Sequence, residues 1–308
     1  MLEIQFAPIQ GYTDAAYRRF HNEIYGGSIG CYFTPFVRLE KGCIRNKDLK
    51  DIHPENNNGV NVVPQIIVNS VDEFEILVDN ITALDYKQID INMGCPFPLQ
   101  TNKRRGAGLL PHIEVVKSIL NEVQRNTNVQ FSLKMRLGLN DRKESFELLS
   151  IINDTPLRQV VIHPRVGCQQ YKGSVDMEAF DYLFKNINHS VVYNGDLLTV
   201  DDIKYVEKIY PRLTRVMLGR GLLSRPSIAM EYVEDKKLSD DECKSMFMSF
   251  HDRLLNYYSD ILQGDTQLLS KIKTIWDYQE PMVGHKVIKL IKKSSTMAKY
   301  MAAVSAIQ

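Results

Sequence analysis

Residues 88–136 read QIDINMGCPFPLQTNKRRGAGLLPHIEVVKSILNEVQRNTNVQFSLKMR, and this stretch decides the fold. It opens on a short strand-like run, Gln88–Asn92, crosses a loop rich in Gly and Pro, and enters Glu114–Arg125, where apolar residues return every three or four positions. A second strand-like run, Gln130–Arg136, follows. Strand, amphipathic helix, strand is the pattern of a parallel sheet, because parallel neighbours need a long crossover between them.

The same alternation continues outward in both directions. Strands are expected at Leu2–Pro8, Cys31–Phe36 and Val62–Val68 before this unit, and at Gln159–His163, Ser190–Asn194 and Arg215–Gly219 after it. Helices are expected at Asp72–Leu84, Lys143–Asn153 and Val200–Ile209, the last behind a Thr199 cap. Eight strands is the number that closes a (β/α)8 TIM barrel. A doubly wound open sheet would alternate similarly, but no GxGxxG follows the first strand. After Leu223 the strand pattern stops, and Asp241–Gln263, Gln267–Tyr278 and Val287–Lys293 read as helices. The expected organisation is an α/β barrel domain over 1–237 and an all-helical domain over 238–308, divided at the charged Glu234–Lys237 stretch.

A chain of 308 residues, 44% hydrophobic and 24% charged, can bury a full core and is not disordered. No apolar run approaches the ~18 residues of a membrane span, and acidic Glu3 stands where a signal peptide would be basic, so a cytoplasmic monomer without a membrane partner is expected. The five cysteines show no CxxC spacing, so neither metal nor disulfide is implied. Cys31, Cys43 and Cys243 read as packing residues and Cys168 as part of a mouth loop. A net charge of +1 argues against a nucleic-acid binder, yet from Lys271 onward seven Lys face only Asp277 and Glu280, a local +5. Lys103, Arg104 and Arg105 form a second basic cluster, and a solvated surface is the ordinary reading of either.

Barrel chemistry sits at the C-terminal strand ends. Those ends carry Pro8-Ile9-Gln10-Gly11, Gln65, Asn92-Met93-Gly94-Cys95-Pro96, Lys134 with Arg136, His163-Pro164-Arg165, Asn194-Gly195-Asp196 and Gly219-Arg220-Gly221. The last two offer glycines and helix N-termini for a phosphate, with Arg220 as a charged contact. Lys134 and His163 share the same mouth, where a cation would stabilise an anionic reduced flavin, and Gln65 and Asn92 could meet its ring edge. Taken singly, each has a plainer reading as a turn, an ion pair or a satisfied core residue. Cys95 lies in a Gly-Cys-Pro turn, and the following Pro restrains its backbone.

These residues resemble a known family. Asp90–Pro96, followed by Gly106–Leu110, is similar to the signature of the tRNA-dihydrouridine synthases, with supporting matches at Ala7–Asp14, around Gln65 and Lys134, and at His163–Arg165, Asn194–Asp196 and Leu218–Gly221. Thr34–Lys41 and Gln263–Lys273 look most like the bacterial C-type branch. Ile9 stands where the family usually has Met, and His163-Pro164-Arg165-Val166 replaces the usual His-Gly-Arg-Thr. The resemblance implies FMN, reduced by NADPH or NADH, passing hydride to a D-loop uridine of tRNA while Cys95 donates the proton. It further implies cofactor contacts from Pro8, Ile9, Gln10, Gln65, Asn92, Lys134, His163, Asn194, Gly195, Asp196, Gly219 and Arg220. For tRNA it implies Arg38, Lys103, Arg104, Arg136, Arg165, Lys271 and Lys273. Two rival readings share parts of this site: an FMN barrel oxidoreductase acting on a small molecule, of dihydroorotate or enoate type, and a catalytically silent tRNA-binding protein.

Overall fold

The computed structural model describes residues 1–307. Its main sheet runs, in chain order, β1 Glu3–Phe6, β2 Ile29–Phe33, β3 Val62–Val63, β4 Gln65–Ile66, β5 Gln88–Met93, β6 Gln130–Arg136, β7 Leu157–His163, β8 Val191–Tyr193 and β9 Arg215–Leu218. The hydrogen-bonded order is β3-β2-β1-β9-β8-β7-β6-β5-β4. All pairings are parallel.

The expected third strand, Val62–Val68, is therefore two short pieces either side of Pro64, and the barrel closes through that residue. Proline has no N–H to give a ladder. Before it, Val62 and Val63 pair with Tyr32 and Phe33; after it, Gln65 and Ile66 pair with Asp90 and Ile91. The Pro64 carbonyl still accepts from Asp90 N–H at 2.9 Å, and the Gln65 N–H is taken by the Thr34 hydroxyl at 3.0 Å.

Helices fill the crossovers because their apolar stripes face the sheet and their first turns are capped. Asp14 accepts from Tyr17 N–H at the start of Ala15–Tyr25, Ser70 from Glu73 N–H at Val71–Thr82, and Thr199 with Asp202 forms a capping box at Val200–Ile209. The helix expected over Lys143–Asn153 divides at fully buried Leu148 into Lys143–Glu147 and Leu149–Asp154. Inside the barrel, Ala7, Cys31, Phe33, Val63, Val161, Val192 and Met217 make an apolar layer. Beside it lies a polar one, where Gln5 and Gln159 exchange amide hydrogen bonds at 3.0 Å in both directions.

The C-terminal part holds helices Asp240–Ile261, Gly264–Ile272, His285–Lys293 and Met297–Ser305, with a tight 3₁₀ turn at Lys273–Trp276 inside the helix expected over Gln267–Tyr278. A Ser239–Glu242 capping box starts the first of them. Its apolar side joins the same buried cluster as the barrel's outer shell, with Tyr17 packed edge-on to Phe250 at 4.9 Å. Polar ties reinforce this seam. Tyr258 OH donates to Asp14 at 2.9 and 3.0 Å, Gln279 Nε2 donates to Leu223 O at 2.5 Å, and Lys271 Nζ lies 2.7 Å from Asp14 Oδ2. Burial alone would push the Asp14 carboxyl up, but Lys271, Tyr17 N–H and Tyr258 hold it below the usual range.

Lys271 and Lys273, expected as RNA contacts, are both engaged within the fold, Lys271 with Asp14 and Lys273 with a helix end. The Lys273 ammonium donates to Ser294 O and, at 3.3 Å, to Lys292 O, closing the C-terminal end of His285–Lys293. Lys271→Met should cost about 1–2 kcal/mol, because it leaves a partly shielded carboxylate without its cation. Thermal unfolding will register the loss, while the salt dependence of RNA binding stays as in the wild type. A flatter salt slope in Lys271→Met would return this residue to the RNA surface.

Candidate active site

The C-terminal strand ends converge on one open cavity of about 660 Å³, within the ~300–1,000 Å³ range of cofactor and small-ligand sites. Of the residues singled out in the sequence, Pro8, Ile9, Gln10, Arg38, Asn92, Cys95, Lys134, Arg136, His163, Asn194, Gly195, Asp196 and Arg220 all line it. Gly219 lines an adjoining notch of about 20 Å³ between the ends of β8 and β9.

Cys95 is half-buried on the cavity wall. Its N–H donates to Asn92 Oδ1 at 2.9 Å, and its carbonyl accepts from Ala107 N–H at 3.0 Å. That second contact explains the Gly106–Leu110 signature. Gly106 has φ +60°, and a Cβ there would stand 2.6 Å from Cys95 O and 2.8 Å from Cys95 Cβ. Only glycine lets the two loops meet. Burial pushes the thiol above its ordinary pKa against the opposing pull of the Phe97 amide, Arg136, Lys134 and Arg38, so the sulfur keeps its proton near neutrality.

Lys134 donates to Asn194 Oδ1 at 2.7 Å, and Asn194 Nδ2 donates to Met217 O at 2.7 Å, which fixes the amide with its oxygen toward the ammonium. Burial, then the Arg136 charge, brings Lys134 down to about 8. His163 is held well below its ordinary value by burial and by Arg136, Lys134, Arg165 and Arg220, so it is neutral. Its Nε2 lies 3.2 Å from Arg165 Nη1, and a guanidinium only donates, so Nε2 accepts and the ring proton sits on Nδ1.

Four expectations are placed differently by the structure. Arg165, expected at the RNA, is instead 2% exposed and donates to Asp196, to Gly173 O at 2.7 Å and to His163, so it orients the site from behind. Gln65 is 0% exposed and does not line the cavity; it stands behind Asn92, which donates to its Oε1 at 2.7 Å. The basic cluster at 103–105 shrinks to exposed Lys103 and Arg104, because Arg105 is buried against Glu73 and Leu39 O. Cys43, expected to pack inside, is exposed on the short antiparallel ribbon Leu39–Glu40 with Cys43–Ile44.

Other residues at the cavity escaped the sequence reading. Arg45 and Lys47 reach it from the excursion after β2, and Tyr12, Phe97, Tyr171 and Tyr278 from four different segments. Arg220 Cζ lies 4.4 Å and Arg136 Cζ 5.5 Å from the Tyr171 ring centroid, so an exposed aromatic and two cations share one wall. Only Phe97, next to the Gly-Cys-Pro turn, carried a local signal.

The donor set suits a flat, electron-rich ring with a phosphate tail. Ala7, Pro8 and Ile9 give an apolar wall, Asn92, Lys134 and neutral His163 give polar groups of both kinds, and the β8–β9 notch gives backbone at close quarters. Arg220 donates to Asp196 Oδ1 at 2.8 Å with only one of its nitrogens, leaving other donors for an anion. Among the described residues no group of three or more metal-ligating side chains occurs, and no helix is long and apolar enough to cross a membrane.

A (β/α)8 barrel with a protonated thiol, a half-buried cation and a neutral imidazole around one mouth defines an enzyme of acid–base and electrostatic chemistry. Solved structures share its architecture. Morphinone reductase superposes with a TM-score of 0.56 at 7% identity, covering 77% of this chain and 88% of that one. A variant of NCR from Zymomonas mobilis gives 0.53 at 11%, with the same coverage. The dihydrouridine synthase family model matches residues 5–307, and the chain belongs to that family. It is therefore an oxidoreductase, since dihydrouridine is uridine with two hydrogens added across a ring double bond.

Its relatives agree. A probable tRNA-dihydrouridine synthase of Helicobacter pylori strain J99 is 31% identical over 82% of this chain and 77% of its own length. The tRNA-dihydrouridine(16) synthase of Aquipseudomonas alcaligenes is 28% identical over 75% of each chain. The tRNA-dihydrouridine synthase B of Pasteurella multocida is 28% identical over 72% of this chain and 66% of its own. The (16) and B relatives thus match at the same 28% identity.

Proposed function

We propose that this protein reduces a D-loop uridine of tRNA to dihydrouridine in the cytoplasm, using FMN at the barrel mouth and NADPH or NADH as the reductant. The observation that carries the reading is the convergence of Cys95, Lys134, Arg136 and His163 on one open cavity at the strand ends.

Bound there, FMN would supply the hydride that enters one carbon of the uracil double bond. Ala7, Pro8 and Ile9 would pack its ring, Asn92, Lys134 and His163 would meet the ring's polar edge, and the Asn194–Asp196 and Gly219–Arg220 segments would hold its phosphate. Cys95 holds a proton at Sγ and delivers it to the neighbouring carbon as general acid. Lys134, oriented by Asn194, places positive charge where negative charge develops. His163 stays neutral and offers Nδ1–H.

A uridine inside folded RNA must leave its stack to reach this depth. Phe97, 56% exposed, and Tyr171, 50% exposed, offer faces for an extruded base, and Arg38, Lys47, Lys103 and Arg104 offer charge to its backbone. Exposed Lys286, Lys289, Lys293 and Lys299 of the helical part extend that charge.

The test is mass spectrometry of tRNA from cells lacking the protein. One D-loop position should lose a two-hydrogen increment, restored by the wild-type gene; an unchanged tRNA pool would remove the substrate assignment, and a colourless purified protein would remove the flavin. Turnover should also fall as pH rises through about 8, where Lys134 loses its charge, while the Cys95 thiol is still protonated. Lys134→Arg, which keeps its charge, should move that alkaline limb upward. An unmoved limb would assign it to another group.

A further inference from the structure

The polar layer inside the barrel contains a directional chain of hydrogen bonds that ends at the Cys95 loop. The strand register sets Asp90 between Gln65 on one side and Ser132 on the other, with Asn92 one pleat nearer the mouth. Gln65 Nε2 donates to Asp90 Oδ2 at 2.7 Å, Asn92 Nδ2 donates to Gln65 Oε1 at 2.7 Å, and Asn92 Oδ1 accepts from Gly94 N–H at 3.0 Å and Cys95 N–H at 2.9 Å. Ser132 Oγ donates to the other carboxylate oxygen at 2.5 Å.

We infer that Asp90 is a positioning residue: through Gln65 and Asn92, it sets the amide direction that anchors the Cys95 loop. A carboxylate accepts only, so Gln65 must turn its nitrogen toward Asp90 and its oxygen toward Asn92. Asn92 must then turn its nitrogen toward Gln65 and its oxygen toward the loop. At the far end the two backbone N–H groups only donate, so both ends demand the same polarity, and a flip of either amide would leave like groups facing each other at buried positions. Asp90 is 0% exposed and touches neither the cavity nor any other element's charge through a direct ion pair. Burial lifts its carboxyl to about 7 despite Ser132, Gln65 and Lys134. The Ser132 hydroxyl tolerates that proton, because it can accept where it now donates, and Oδ2 continues to accept from Gln65.

The consequence for turnover rests on Cys95 being the proton donor; the chain's direction does not. The experiment compares Asp90→Leu, close in size but without an acceptor, with Asp90→Asn, which can keep oxygen toward Gln65 and nitrogen toward Ser132. Both are made in the full-length, flavin-loaded protein. Asp90→Leu should lower kcat per bound flavin about 100-fold, the scale of a misplaced reacting group, with KM for tRNA unchanged; Asp90→Asn should lose far less. The iodoacetamide labelling rate of Cys95, read by peptide mass mapping, should shift in Leu and return in Asn. If Asp90→Leu fails to fold, Gln65→Met cuts the same chain one link later and should give the same kcat and labelling pattern. Wild-type kcat and labelling in the Leu or Met variant, equal losses in Leu and Asn, or a loss confined to flavin content would each overturn the assignment. A wild-type protein inactive on tRNA would instead sink the proposed function, and the labelling comparison would still decide Asp90.

Discussion

Cys95→Ala should retain flavin and bind tRNA with wild-type affinity, yet turn over about 10²–10⁴-fold more slowly, the range that a placed general acid contributes. The expectation follows from what the thiol touches. Its backbone carries the loop contacts, through Asn92 Oδ1 and Ala107 N–H, and those do not depend on the side chain. Cys95 is only half-buried and lines the open cavity, so removing its sulfur creates little closed void and costs little stability. Cys95→Ser should stay close to Ala, because an alcohol is a far weaker acid than a thiol. Single-turnover measurement of tRNA reduction by pre-reduced protein separates this step from reductant binding. Product formed at the wild-type rate in Cys95→Ala would move the proton to another donor, and the thiol would be left as a wall residue.

The readings that succeeded and those that failed divide by what a sequence encodes locally. Strand ends are local: a short apolar run that stops at Asn92, His163 or Asn194 places those side chains at the barrel mouth whatever the helices do. Thus Cys95, Lys134 and His163 were legible from the strand pattern alone. The break at Pro64 was legible in principle, since a proline within a continuous central strand argues against it. Charge partners are not local. Lys271 finds Asp14, and Arg165 finds Asp196 and Gly173, across folds of the chain that no spacing rule foresees. A lysine-rich stretch therefore overstates the charge left for RNA, by as much as its members are spent on carboxylates and helix ends. The converse error hid Lys47, which makes no ion pair among the described residues and reaches the cavity from a stretch with no motif.

Gly221→Ala should deprive the protein of most of its flavin while leaving secondary structure in place. At this position an added Cβ would stand 2.1 Å from Leu197 O, a backbone atom with no rotamer to escape into. Either the Arg220–Ser224 turn or the Asn194–Leu198 segment must move, and these are the two walls of the notch between β8 and β9. The displacement would carry Arg220 away from Asp196, and the Asp196 carboxylate, no longer neutralised on that side, would repel a phosphate. Arg220→Ala is the control, since it removes the same charge beside Asp196 but keeps the backbone; it should weaken flavin binding by about 10- to 100-fold, the scale of a lost charge-assisted bond, and less than Gly221→Ala. Visible absorbance of the purified proteins, with titration of added FMN, gives both numbers. A yellow Gly221→Ala protein with wild-type affinity would mean that the phosphate is held elsewhere on the rim, and the case for these two strand ends would be lost.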